Sequence, residues 1–110
     1  MKENVMRLVT LGKIPNGRDM SNELFNQYDK MMQMEESLTF EEAELLIALF
    51  SDDCDDLNWG LLHAIESVDY NNIERYRELI SKCNNPEFRE ILEIRLNNYL
   101  KRIKVINSGR

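Results

Sequence analysis

From Met31 to Glu74 this chain contains no lysine or arginine. A surface that binds nucleic acid needs cations to displace counterions from phosphates, so direct nucleic-acid binding is not expected. Long apolar runs are missing too. The longest, LLIALF at residues 45–50, falls far short of the roughly 20 residues a membrane span requires. The four glycines are scattered, which leaves no glycine-rich loop to cradle a phosphate. Two cysteines, Cys54 and Cys83, are too few for a disulfide scaffold, and both read as buried thiols of a reducing compartment. The N-terminal MKENVMRLVTLGK has Arg7 inside its apolar part and no small-residue cleavage site. No signal peptide is read there, and a cytoplasmic protein is expected.

What is present points to one soluble domain. A chain of 110 residues can bury one modest core, and 43% apolar with 31% charged residues is a globular composition. The charges are segregated along the chain. Residues 1–34 carry five Lys/Arg against four Asp/Glu, a balance of +1; residues 35–80 carry two against thirteen, −11; residues 81–110 carry seven against three, +4. A concentrated negative face would attract and orient a basic partner.

Helical periodicity recurs and strand alternation does not. A first short helix runs from about Asn4 to Leu11 and stops before Gly12, with KIPNGRD as a loop. Leu24, Phe25, Tyr28, Met31 and Met32 form one stripe, with Ser21 as N-cap. Thr39 and Glu42 have capping-box spacing, flanked by Leu38 and Ala43 at the staple positions, and Phe40, Ala43, Leu46, Ile47 and Phe50 face inward. A helix over Asp55–Val68 follows an acidic turn. Asn71 with Glu74 caps another, lined by Ile73, Tyr76, Leu79, Ile80 and Cys83. Asn85 and Pro86 open the last, with Phe88, Ile91, Leu92, Leu96, Tyr99, Leu100 and Ile103 as its stripe. The fold class is therefore all-α: about six helices with loops of two to six residues after the first, packed as an antiparallel bundle or a short solenoid-like stack of helical hairpins. The single domain spans 1–110, with residues 105–110 read as a disordered tail.

The densest chemistry is FSDDCDDLNWGLLHAIES, residues 50–67. A calcium loop aligned on Asp55 gains Gly60 at position 6 and Glu66 at position 12, but Leu57 and Trp59 occupy two ligand positions. One histidine and two distant cysteines match no zinc spacing, and His63 with Glu66 lacks the second histidine of a metalloprotease helix. Carboxylates around Cys54 would raise its pKa rather than activate it. No catalytic motif supports an enzyme, and no metal or cofactor is implied. A metal-dependent hydrolase built from His63, Glu66 and the aspartates is the least supported reading. Capping accounts for one or two of the four aspartates, with Asp52 or Asp55 accepting from the amides of the next helix.

That helix carries two stripes. Leu57, Leu61, Ala64, Ile65 and Val68 fall on one side, while Trp59, His63, Glu66 and Tyr70 lie within about 60° of each other on the other. The second stripe is either core, with Trp59 buried and Glu66 paired to a polar group, or an interface strip. Core is the favoured packing. Gly60 suggests close approach of another backbone.

The stretch from Phe50 to Tyr70, an acidic turn followed by WGLLHAIES, resembles the central segment of small all-helical immunity proteins of bacterial polymorphic-toxin and contact-dependent growth-inhibition systems, the immunity protein 30 family in particular. The resemblance implies an antitoxin that binds the toxic C-terminal domain of an effector and blocks its active site or substrate entry. The partner it implies is a basic nuclease. The residues it marks for partner binding are Asp52, Asp53, Asp55 and Asp56 of the turn and Trp59, His63, Glu66 and Tyr70 of the strip. Glu41 and Glu42, one helix earlier, join them on charge. The rival expectation is a helical adaptor that holds a partner helix in a hydrophobic groove.

Overall fold

The computed structural model describes residues 2–69 and 72–108, with side chains described as far as Ile103. Six α-helices account for the fold: α1 (Glu3–Leu11), α2 (Asn22–Met32), α3 (Phe40–Leu46), α4 (Asp55–Glu66), α5 (Ile73–Ser81) and α6 (Pro86–Ser108). One 3₁₀ turn, Gly17–Asp19, precedes α2, and no strand occurs among the described residues. None of these helices is long and apolar enough to cross a membrane.

Local chemistry sets most of the helix ends. Ser21 Oγ accepts the Leu24 N–H at 3.1 Å. At α3 both halves of the capping box form: Thr39 Oγ1 accepts the Glu42 N–H at 3.2 Å, and Glu42 Oε1 accepts the Thr39 N–H at 3.0 Å. Asn85 Oδ1 accepts the amides of Glu87 and Phe88 and opens α6 beside Pro86. Gly12 ends α1 at φ 81°, a left-handed conformation that glycine adopts without penalty. At α5 the cap is Asn72, whose Oδ1 accepts the Arg75 N–H at 3.0 Å. Asn71, expected in that role, lies outside the described residues.

Which helices touch reveals the architecture. Sequential partners pack as hairpins, α1 with α2, α3 with α4 and α5 with α6; between hairpins, α1 meets α3, α3 meets α5, α2 meets α4 and α4 meets α6. Among the described residues the backbones of α2 and α3, and of α4 and α5, do not come together. The molecule is thus two layers, α1–α3–α5 and α2–α4–α6, stacked as three helical hairpins. This is the solenoid form of the all-α expectation. Helices within one layer run parallel: Trp59 packs on Phe88 and Glu66 pairs with Arg95, a constant offset between α4 and α6.

Between the layers lies one continuous core that includes Tyr28, Phe50, Leu57, Leu61, Ile65, Tyr76, Phe88 and Leu92, each at most 1% exposed. Burying a side chain of this kind stabilises by about 1.5–3 kcal/mol. Apart from the second stripe of α4, the predicted stripes are buried or half-buried, with one exception: Ile103 is 36% exposed, because α6 is far longer than α5. Residues 105–108, expected in a disordered tail, belong to α6, which runs to Ser108; Gly109 and Arg110 lie outside the described residues.

Two sequence expectations fail between α3 and α4. The helix stops at Leu46 rather than Phe50, and the connection of residues 47–54 is longer than six residues. The reason is competition for backbone groups. Leu49 O accepts the Ile14 N–H at 2.9 Å. Phe50 exchanges both backbone bonds with the side chain of Asn84, and Ser51 exchanges both with Asn58. Ile14 and Asn84 of the neighbouring hairpins, and Asn58 of α4, replace the helical partners.

Candidate partner-binding surface

The three turns inside the hairpins stack at one end of the solenoid and are sewn together around Ser51, which is fully buried. Ser51 Oγ donates to Pro15 O at 2.9 Å and accepts the amides of Asp53 and Cys54. Ser51 O accepts from Asn58 Nδ2 at 3.0 Å and Asn85 Nδ2 at 2.8 Å. The acidic turn is therefore held from the first and third hairpins at once.

On that base the four aspartates have different roles. Asp53 Oδ1 accepts the Gly17 N–H at 2.8 Å, and Asp52 faces Lys13 Nζ at 3.1 Å. Asp55 and Asp56 stand on the first turn of α4, exposed and with no partner among the described residues. None of the four caps α4. The N-cap is Cys54, which makes no side-chain cap bond, and Ser51 Oγ takes the nearby amides instead. The capping expectation for Asp52 or Asp55 is thus corrected: the turn enters α4 with its aspartate side chains directed elsewhere.

Because α2, α4 and α6 run parallel, their N-termini share this end, and each first turn is acidic: Glu23, Asp55 with Asp56, and Glu87. Each helix N-terminus presents about half a positive charge. The acids exceed what three such ends offset, so the edge stays negative. Glu23 and Glu87 are members of it that sequence reading missed. Parallel helices with acidic first turns were the available signal, and only the layer topology brings them together. Between α2 and α4 lies a shallow depression of about 460 Å³, with Met20, Phe25 and Cys54 among its walls and Asp55 and Asp56 on its rim.

Glu41 and Glu42 lie at the opposite end, with the N-termini of α1, α3 and α5. The single negative face expected from the −11 segment is therefore split in two. Glu41 faces Arg75 at 3.1 Å, and Arg75 also reaches Glu44 at 3.5 Å while its guanidinium lies 4.7 Å over the Phe40 ring. These contacts hold the Glu41 carboxyl below its usual range, through its own backbone amide first and Arg75 second. Glu42 is 2% exposed and is removed from the candidate surface. Burial pushes its carboxyl up. The Thr39 and Lys2 amides and the Lys2 ammonium at 2.9 Å outweigh that and bring the pKa down to about 2. It is a structural clamp between α1 and α3.

The second stripe of α4 is not core. Trp59 is 39% exposed and sits on the α4–α6 seam, edge-on to Phe88 at 5.3 Å and 6.1 Å from the His63 ring. The His63 side chain is largely exposed, 3.6 Å from Glu66 Oε1, while Glu66 Oε2 accepts from Arg95 Nε. The favoured burial of Trp59 is thus overturned, whereas the polar partner expected for Glu66 is Arg95. Tyr70 lies outside the described residues. Gly60 admits a side chain rather than a backbone: a Cβ there would stand 3.1 Å from Met32 Sδ of α2.

Among the described residues no three His, Cys, Asp or Glu side chains converge to hold a metal ion. Cys83 is buried, which pushes its thiol pKa up. Comparison of the chain with protein-family models, with curated proteins and with solved structures returns no match.

Proposed function

We propose that this protein is an immunity protein that neutralises a basic toxic domain, a nuclease in the leading reading, by electrostatically steered occlusion and without catalysis. One observation carries the proposal: Asp55 and Asp56 have no partner among the described residues and stand on an edge where three parallel helices all begin with acids, above a turn locked by buried hydrogen bonds. A rigid acidic edge steers a basic partner and loses little entropy on docking. The depression beside it suits a lysine or arginine of the partner, with the aliphatic stem against Met20 and Phe25 and the cation at Asp55 and Asp56. The resemblance of residues 50–70 to immunity proteins points the same way.

The test is co-purification with the toxic domain encoded beside the gene, followed by association kinetics at several salt concentrations. Asp55→Lys with Asp56→Lys should slow association and flatten its salt dependence. Asp52 and Asp53 are left intact because they hold the turn. A double-lysine protein that binds and protects like the parent sinks the acidic-edge mechanism.

A second reading has its own observation. Between α1 and α2 lies a groove of about 520 Å³ walled by Met6, Leu11 and Met31, with Met6 47% exposed. A helical adaptor would seat a partner helix there, with binding nearly insensitive to salt. Met6→Asp would abolish it and leave the acidic-edge mechanism untouched.

A further inference from the structure

Asn16–Gly17 lies at the apex of the turn between α1 and α2, beside the acidic turn. Asparagine followed by glycine is the dipeptide most open to intramolecular attack, because glycine places no side chain in the way of its own nitrogen. The Gly17 nitrogen loses its proton and bonds to Asn16 Cγ. The bond from Cγ to the side-chain nitrogen breaks, ammonia leaves, and a succinimide remains. Water then opens that ring at either carbonyl, giving aspartate or isoaspartate. Amide and water become carboxylate and ammonium, and no other reactant is needed.

The surroundings of this dipeptide oppose each early step. Asn16 sits at φ −61° and ψ 150°, so its Cα–C bond must turn before the Gly17 nitrogen can reach Cγ. Three hydrogen bonds resist the turn: Ser51 Oγ to Pro15 O at 2.9 Å, Asp19 N to Asn16 O at 2.9 Å, and Gly17 N to Asp53 Oδ1 at 2.8 Å. The last also opposes the chemistry. Removing the Gly17 proton would create an anion at hydrogen-bond distance from a carboxylate, a like-charge pair that disfavours ionisation. The Asn16 side chain makes no cap bond of its own.

We propose that Asn16 is a deamidation site held in check by Asp53. The bond between Gly17 and the acidic turn suppresses conversion of Asn16, and displacement of that turn releases it. Loss of ammonia makes the conversion one-way, and it leaves a carboxylate on the residue next to the Gly17 amide that Asp53 accepts. The outcome is an irreversible gain of negative charge at the edge formed by the hairpin turns. This inference stands whether or not that edge binds a toxin.

The test follows the mass of the proteolytic peptide containing Asn16 during incubation of the full chain at mildly alkaline pH. Asp53→Ala should raise the conversion rate on the order of tenfold, the factor expected from one hydrogen bond to a charged acceptor. Asp53→Asn, which keeps an acceptor but removes the charge, should fall between parent and alanine variant. Lys13→Ala disturbs the same turn without touching the Gly17 bond and should leave the rate unchanged. Asp53→Ala combined with Gly17→Ala should abolish the gain. A parent that converts as fast as a free peptide of residues 12–21 overturns the proposal. So does a folded Asp53→Asn protein that converts no faster than the parent.

Discussion

Asn84 and Phe50 pair as two strand residues would: the Phe50 N–H donates to Asn84 Oδ1 at 3.1 Å, and Asn84 Nδ2 donates to Phe50 O at 2.8 Å. Asn58 does the same for Ser51, at 2.8 and 3.0 Å. Two asparagine side chains thus supply the backbone partners of the segment between α3 and α4 and hold it in place.

The two asparagines should differ in weight. Asn58 is fully buried, so Asn58→Ala leaves the Ser51 amide without a partner away from water. The expected loss is about 3 kcal/mol. Asn84 is exposed to solvent that can replace it, and Asn84→Ala should cost about 1 kcal/mol. Urea unfolding of both variants checks the order, and equal losses would contradict the burial argument.

Glu42 should make stability depend on acid. Its folded pKa of about 2 lies below the ordinary 4.5, so its contribution is complete above pH 4.5 and is lost as pH falls toward 2. That contribution is on the order of 2 kcal/mol after allowance for solvent near the Lys2 ammonium. Glu42→Gln should be less stable than the parent at pH 7, with the two unfolding curves converging near pH 2. A constant gap across that range would show that Glu42 acts through packing alone.

Charge removal at the acidic edge should separate binding from folding. Each of Asp55→Asn and Asp56→Asn gives up a helix-end interaction of about 0.3–1 kcal/mol, a small change in melting temperature. The effect on association with a basic partner should be far larger. A double variant that fails to fold would mean that these acids are structural.

Thiol labelling should read the two cysteines apart. Cys54 is half-buried at the start of α4, whereas Cys83 is 5% exposed, donates to Asn85 O at 3.5 Å and has its pKa raised by burial. Native protein should take one maleimide at Cys54, and Cys83 should react only at the rate of unfolding. Early labelling of both would place the α5–α6 turn among the loosely held parts of the chain.

Trp59, the only tryptophan, should report the seam directly. At 39% exposure its fluorescence should be partly quenched by iodide, between a buried and a free indole. Trp59→Ala should cost about 1–2 kcal/mol, less than a fully buried aromatic, because only its contact edge on Phe88 is lost.

Interactions reaching three or four residues were legible in the sequence. Ser21, the Thr39–Glu42 box, Asn85 with Pro86, and Gly12 each act on the turn beside them, so residue type and spacing suffice to place them. The inward stripes were legible for the same reason, since helical geometry assigns faces from spacing alone. Six helices and an all-α class follow from those two kinds of signal.

Tertiary structure decided the rest because the deciding contacts span the chain. Asp53 meets Gly17 across 36 positions, and Asn84 meets Phe50 across 34; no periodicity reports either. The Phe50 contact helps to end α3 early, and Gly17 with Lys13 takes Asp53 and Asp52 out of the free acids. Layering decided the remainder, sending Glu41 and Glu42 to one end of the stack and Asp55 and Asp56 to the other. It also left Trp59 on a seam, since a helix's second stripe is buried only if another helix covers it, and α6 covers one edge. The sequence by itself determined which surfaces could be buried and how much charge had to stay outside. The stacking of three hairpins determined where that charge gathers, because parallel helices bring their acidic first turns to a single edge.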